Sequence, residues 1–423
     1  MDILVEKAIL VGVQTQHDEH FLYSMEELAN LAEAIDVEVI GEVTQNLERV
    51  NPSHYVGGGK VEEIHRFYEA SDANLIIFND ELTPSQIRNL ENELACKVID
   101  RTMLILDIFA RRARTKEARM QVDLAQLQYM LPRLVGLRAS LSRQGGGTGG
   151  GFQNKGAGET KLELDRRVIE DQIAKLRREL DHMQSQRATQ RKRRQRSGLP
   201  VVSLVGYTNA GKSTLMNALL ERIDASEDKQ VFEKDMLFAT LDTSVRHVKL
   251  PDNKAFLLTD TVGFVSKLPH HLVKAFRSTL EEAKDADLLL QVVDVSHKEH
   301  QYMIDVTNET LVDVGVENVP TVHVLNKADV AGIPYPVVKD NRIWLSAKTG
   351  EGIDELVQLI QKRIFETYIT CRVCIPYNRG DIVSYLNEFS NVKAVEYEEE
   401  GTLMTVEMLK TDREKYAEFV VSY

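Results

Sequence analysis

The chain has 423 residues, 43% hydrophobic and 28% charged, ordinary values for a globular protein with room for about two to four domains. No apolar run approaches the ~20 residues of a membrane helix, and the start MDILVEKAILVGV reads as a folding strand rather than a signal peptide. Three cysteines argue against a disulfide scaffold and fit a reducing, cytoplasmic setting.

The net charge of −13 is unevenly spread. Residues 1–100 carry 6 Lys/Arg and 20 Asp/Glu, residues 101–200 carry 22 and 10, and the remaining 223 carry 24 and 35. An acidic protein with one concentrated basic segment is no general polyanion binder; it presents one face to phosphates.

In chain order, the apolar runs 7–13, 37–43 and 74–79 alternate with helical patterns at 24–35 and 59–70, which predicts a small α/β unit with a parallel sheet. GGGK at 57–60 lacks the spacing of a phosphate loop and reads as a turn opening a helix. From about 116 the period changes. Met120, Leu124, Leu127, Leu131 and Leu134 form one heptad-like stripe, and Leu162, Ile169, Ile173, Leu176, Leu180 and Met183 form another. Two such helices joined by a loop make an antiparallel hairpin, with Pro132 expected to kink the first.

The loop holds eight of the 24 glycines between Gly145 and Gly158. A GxGxxG within it follows a helix rather than a strand, so a dinucleotide site is not expected. Arg143, Gln144, Asn154 and Lys155 flank or punctuate the loop and are its candidate RNA-binding side chains. The hairpin ends in RKRRQRSG (191–198), which reads as a continuation of the same basic surface or as a solvated helix end.

VVSLVGYTNAGKST (201–214) is a strand, a phosphate loop and a helix start. Its residues Gly206, Tyr207, Thr208, Asn209, Ala210, Gly211, Lys212, Ser213 and Thr214 would wrap phosphates with backbone N–H groups and a helix N-terminus. Lys212 would neutralise the β- and γ-phosphates, and Ser213 would ligate Mg2+. LLTDTVG ends a buried strand in Asp260, Thr261, Val262 and Gly263: a carboxylate for the Mg2+ shell and a glycine N–H for the γ-phosphate. Asn326, Lys327 and Asp329 end another strand, where the Asp329 carboxylate matches the paired donors of guanine and not adenine. Ser346, Ala347 and Lys348 offer a backbone N–H to guanine O6.

Between the first two motifs, Phe238, Ala239, Thr240, Leu241 and Asp242 form a switch segment. Thr240 is the expected Mg2+ ligand there, with Thr243 the alternative. The catalytic set is Lys212, Thr240, Asp260 and Gly263. This region resembles the translation-factor-related GTPases, so GTP and GDP are the expected ligands. Ras-like enzymes orient the attacking water with a glutamine after DxxG; here Phe264 stands in its place, so hydrolysis requires another group, ordered water or a partner, and a slow intrinsic rate stimulated by docking is expected. His270 and His271 either assist or begin a solvated helix. Asn209 resembles the asparagine of potassium-stimulated GTPases. Cys371 and Cys374 have no second pair for a metal and read as strand residues.

YVGGGKVEEI, the stretch VIDRTMLILDIFARRARTKEARMQVDLAQLQYMLPRL, RQGGGTGGGFQNKGAGETKLELDRR and FATLD together resemble the HflX family of ribosome-associated GTPases, over about residues 1–365. The resemblance implies binding to the large ribosomal subunit and its rRNA, and GTP-dependent splitting or rescue of ribosomes. An RNA-binding assembly GTPase and a protein-partner switch are the alternatives. The expected fold class is α/β: a small N-terminal α/β subdomain (1–115), a basic helical hairpin (116–198) with a tip loop at 144–158, and a P-loop GTPase domain with a mostly parallel sheet (199–367). A small α+β C-terminal domain (368–423) of βαββα pattern closes the chain. A monomer off the ribosome is expected.

Overall fold

The computed structural model describes all residues except 1–5, 17, 145–154, 197–198, 224–237, 239–243, 253, 270–271, 273–281, 367 and 423. They fall into two units: one comprises Met1–Arg191, Asp235–Asp242 and Gly263–Thr279, the other Lys192–Lys234, Thr243–Val262 and Leu280–Tyr423.

The first unit opens with β1 (Lys7–Gln14), whose central residues are all buried. A strand covered on both faces needs such a continuous apolar run. It is followed by α1 (Phe21–Glu33), β2 (Glu38–Asn46), α2 (Gly58–Ala70), β3 (Leu75–Phe78), α3 (Pro84–Leu94), β4 (Lys97–Asp100) and α4 (Arg101–Arg112). The strands pair in parallel in the order β2-β1-β3-β4. Gly57 caps α2, so GGGK is the expected turn and helix start. The sequence patterns did not separate α3, β4 and α4. β4 is only four residues long, and α3 is defined by its start: Pro84 follows a capping box in which the Thr83 side chain and Gln86 satisfy each other's backbone N–H.

Next come α5 (Lys116–Gln144) and α6 (Lys155–Arg196). Met120 and Leu124 of α5 pack with Ile173 and Leu180 of α6, flanked by Leu127, Leu131, Ile169, Leu176 and Met183, so the two stripes read from the sequence do meet in one seam. Pro132 lies inside α5. Of the expected tip loop at 144–158, Gln144 belongs to α5 and Lys155, Gly156 and Gly158 belong to α6, while 145–154 lie outside the described residues.

The second unit holds a seven-stranded sheet ordered β10-β11-β9-β8-β5-β7-β6. Its elements are β5 (Val201–Gly206), α7 (Lys212–Ile223), β6 (Ser244–Lys249), β7 (Ala255–Asp260), β8 (Leu288–Asp294), α8 (His300–Asp313), β9 (Thr321–Asn326), α9 (Ala328–Ala331), β10 (Val337–Lys339), β11 (Arg342–Trp344) and α10 (Ile353–Ile364). The five central strands run parallel, and β6 and β10 are antiparallel edges. A smaller antiparallel sheet ordered β13-β14-β12-β15 follows. It is built from β12 (Tyr368–Ile375), α11 (Gly380–Phe389), β13 (Asn391–Glu398), β14 (Gly401–Leu409), α12 (Lys410–Lys415) and β15 (Val420–Ser422). The short β15 adds a strand to the expected βαββα pattern. Cys371 and Cys374 lie in β12 with free thiols.

Lys254, on the turn between β6 and β7, ties the two sheets of this unit together. Its Nζ is 2.9 Å from Glu407 Oε1 on β14 and 3.3 Å from Asp252, and it sits 5.3 Å from the centroid of the Phe365 ring.

Candidate functional site

The strand order β11-β9-β8-β5-β7 sets five carboxyl ends side by side, and β5 and β8 are where the chain's winding reverses. Open α/β sheets bind ligands at that point. The phosphate loop leaves β5 there. Gly206 has φ 145°, and a Cβ on it would lie 2.2 Å from the Val292 carbonyl oxygen. Gly211 has φ 91°, and its Cβ would meet Asn326 Nδ2 at 2.3 Å. Both positions therefore demand glycine. Exposed Asn209 takes the left-handed conformation at the tip of the loop, φ 58°.

Lys212, the first residue of α7, is buried and turns its Nζ back onto the loop, donating to the carbonyl oxygens of Gly206 (2.9 Å) and Tyr207 (2.7 Å). Burial pulls its pKa down to about 8, against the opposing pull of Asp260. The next residue, Ser213, donates from Oγ to Asp260 Oδ2 at 2.9 Å. A hydroxyl and a carboxylate at this distance form an oxygen donor set suited to a hard divalent cation. Thr261 Oγ1 donates to the Leu204 carbonyl at 2.7 Å and fixes the DTVG turn against β5.

The strand-end motif at Asn326 and the Ser346–Lys348 turn are braced together by the Asn326 side chain. Its Nδ2 donates to the Ala210 carbonyl at 2.9 Å, and its Oδ1 accepts from the Ala347 N–H at 2.9 Å. One side chain thus joins the phosphate loop to the Ser346–Lys348 turn. Within that turn the Ser346 N–H bonds the Glu351 carbonyl at 3.1 Å, and Ser346 Oγ accepts from the Thr349 N–H at 3.2 Å; Lys348 is exposed. Lys327 is left-handed, φ 61°, and its Nζ pairs with Asp294 Oδ2 at 2.7 Å. Asp329 is half-buried in α9. Asp294 escaped the sequence reading, although an acid ending the apolar run LLLQVV was the available signal.

Gly206–Thr214, Asp260–Val262, Asn326–Asp329 and Ser346–Lys348 all belong to the second unit, whereas Phe238 and Gly263 are assigned to the first. Phe264, in the place of the water-orienting glutamine, is 2% exposed. Ala239, Thr240, Leu241, Asp242, Thr243, His270, His271 and Asn154 lie outside the described residues. Arg143 and Gln144 end α5 and Lys155 begins α6.

Four family models match in succession: GTP-binding GTPase N-terminal (22–110), GTP-binding GTPase middle region (112–194), 50S ribosome-binding GTPase (201–327) and HflX C-terminal domain (336–417). The chain is 45% identical over 418 residues to the GTPase HflX of Caldanaerobacter subterraneus subsp. tengcongensis, covering 99% of this chain and 94% of that protein. It belongs to the HflX family of GTPases.

A second relative, the GTPase HflX of Escherichia coli, is 38% identical over 404 residues, 94% of this chain and 92% of that one. Among solved structures, a GTP-binding protein of Sulfolobus solfataricus in complex with GDP aligns over 85% of this chain and 98% of its own, at 25% identity and a TM-score of 0.43. The HflX relationship extends past residue 365, where the sequence resemblance had stopped, through the C-terminal sheet. As an HflX GTPase, the chain hydrolyses GTP. Among the described residues, no helix is long and apolar enough to cross a membrane.

Proposed function

We propose that this HflX-family GTPase binds the large ribosomal subunit through its rRNA and uses the GTP cycle to split or rescue stalled ribosomes. The observation that carries the reading is a guanine-nucleotide apparatus on the same chain as a two-helix hairpin, in the stretch that holds 22 of the 52 cationic side chains between residues 101 and 200. The 50S ribosome-binding description of the matching GTPase model supports it.

In this reading Lys212 exchanges its two carbonyl partners for the β- and γ-phosphates. The Gly263 N–H meets the γ-phosphate, Asp329 takes the guanine N1–H and amino group, and a backbone N–H of the Ser346–Lys348 turn meets O6. Ser213 and Thr240 are the side chains that would hold Mg2+, beside Asp260. When bound, the ion neutralises charge on the phosphates. Asn209 would confer potassium stimulation, which a comparison of rates in sodium and potassium tests. With Phe264 unable to orient water, the intrinsic rate is slow and rises on docking. Arg143, Gln144, Asn154 and Lys155 meet rRNA, and the protein is a monomer off the ribosome.

Light scattering of ribosomes mixed with the protein and GTP, or a non-hydrolysable analogue, tests the proposal. A nucleotide-dependent fall in scattering is expected. Binding without splitting would favour the assembly-factor reading. Binding insensitive to salt would favour a protein partner, because each neutralised phosphate contributes to the salt slope.

A further inference from the structure

The C-terminal sheet, ordered β13-β14-β12-β15, ends in two strands that each keep one unpaired edge. Natural edges are blunted by shortness, bulges, lysine or proline. β15 is blunted by its length of three residues and by a register shift against β12. β13 is eight residues long, and its one register shift lies near its start, between Val392 and Ala394, where Lys393 stands. From Ala394 to Glu398 it is regular, holds neither proline nor lysine, and pairs with β14 on one side only. Every residue from Lys393 to Glu400 is exposed.

The two faces of this edge differ. Val392 packs against the core of the C-terminal sheet, but further along Val395 is 42% exposed and Tyr397 78%. Val395 sits opposite Met404, which is wholly buried, so the apolar cover of this face stops short of Val395. Tyr377, also exposed, donates its hydroxyl to the Glu398 carbonyl at 2.7 Å beside the end of the strand. Alternation places Glu396 and Glu398 on the opposite face. Glu396 Oε2 meets Arg372 at 3.5 Å, and among the described residues the carboxylates of Glu398, Glu399 and Glu400 meet no cation. Residues 396–400 thus carry four acids, and 394–401 hold no Lys or Arg.

We propose that the free edge of β13 takes an extended, alternately basic and apolar segment of a partner protein as a fifth strand. In strand addition the main chain supplies hydrogen bonds and alternate side chains supply selectivity. Lysine or arginine on one face of the incoming strand meets Glu396 and Glu398, and apolar side chains on the other cover Val395 and Tyr397. Charge selects among the occupants. Four carboxylates in five residues repel nucleic acid and anionic lipid, and a second copy of the chain would bring four more. A cationic strand relieves that repulsion. The inference concerns the C-terminal sheet alone and stands whether or not rRNA is a ligand elsewhere on the chain.

The test uses the full chain and a fluorescent Lys-Val repeat peptide matching β13 in length, read by anisotropy and by hydrogen exchange. The peptide should bind, and the amides of β13 should exchange more slowly in its presence. A Lys-Pro repeat of equal length and charge cannot pair along a strand and should bind roughly tenfold more weakly. Glu396→Lys with Glu398→Lys turns two attractive cross-strand pairs repulsive, so it should weaken the Lys-Val peptide by roughly tenfold and admit a Glu-Val repeat. GDP affinity should stay that of the parent. Glu398→Lys with Glu400→Lys, which spares the Arg372 pair, is the second variant should the first fail to bind GDP. Equal binding of the Lys-Val and Lys-Pro repeats would mean charge attraction without strand addition. Unprotected β13 amides would put the peptide elsewhere, and a peptide-free dimer that protects β13 would give the edge to a second copy. Each of these, or no binding at all, overturns the proposal.

Discussion

Lys212 shows how one side chain's environment sets a solution property. Free of phosphate, it is buried among carbonyls, and burial lowers its pKa from 10.5 to about 8. Bound phosphates favour the charged form, so binding above pH 8 must take up a proton, while below pH 8 the proton is already present. The GDP dissociation constant is expected to be flat up to about pH 8 and then to rise by at most about tenfold per unit. Titration calorimetry between pH 7 and 9, in two buffers of different ionisation heat, reads both the slope and the proton uptake. In the proposed reading, where Asp329 takes the guanine N1–H and amino group, Asp329→Asn replaces one of its two acceptors by a donor. A lost charged hydrogen bond costs about 1.5–3 kcal/mol, so GTP affinity should fall roughly 10- to 150-fold. Competition with xanthosine triphosphate, which presents the complementary pattern, should show the reverse preference.

At the scale of elements, the hairpin and the phosphate loop follow different physics. The α5–α6 seam is a heptad stripe on each helix: the period marks the apolar face, and Met120 and Leu124 cluster there with Ile173 and Leu180. The phosphate loop is shaped instead by two glycines of its own and held by one asparagine, Asn326, from the distant strand β9. In the proposed reading, Arg143 and Lys155 at the hairpin's far end meet rRNA and take no part in holding the nucleotide. Arg143→Ala with Lys155→Ala should therefore weaken ribosome binding and flatten its salt dependence by about one to two phosphate contacts. GTP affinity should be preserved; sedimentation with ribosomes and a parallel nucleotide titration separate the two.

For the whole molecule, one half-buried cation, Lys254, links the two sheets of the second unit. Burial alone would raise the Glu407 carboxyl, but bonds from Lys254 and Asn391 outweigh it and hold the pKa below the ordinary value of 4.5. A depressed carboxyl stabilises above its unfolded pKa, and that stability is lost as pH falls through the folded value, so this tie fails only in acid. Lys254→Ala should cost about 2–3 kcal/mol, by removing a charged bond and leaving a carboxylate half-desolvated. Thermal unfolding at pH 7 should show the loss, and at pH 3 the difference from the parent should shrink.

The motifs, the α/β class of the fold and the charge segregation were legible in the sequence because each is local: a spacing, a period or a count. Gly206, Lys212, Asp260, Asn326 and Asp329 could be named from strand ends and intervals alone, and the hairpin from two stripes. What the sequence could not contain is the choice of partner across hundreds of residues. Nothing near Asn326 says that it braces Ala210 to Ala347, nothing in LLLQVVD says that Asp294 will hold Lys327, and β4 is too short to have a period. Least legible of all was the run after DTVG, which reads locally as a switch loop with a missing glutamine. Only folding brings Ser266 and Lys267 to acids that lie some 190 to 250 residues earlier, because a buried charge or hydroxyl must find its partner wherever the chain places one.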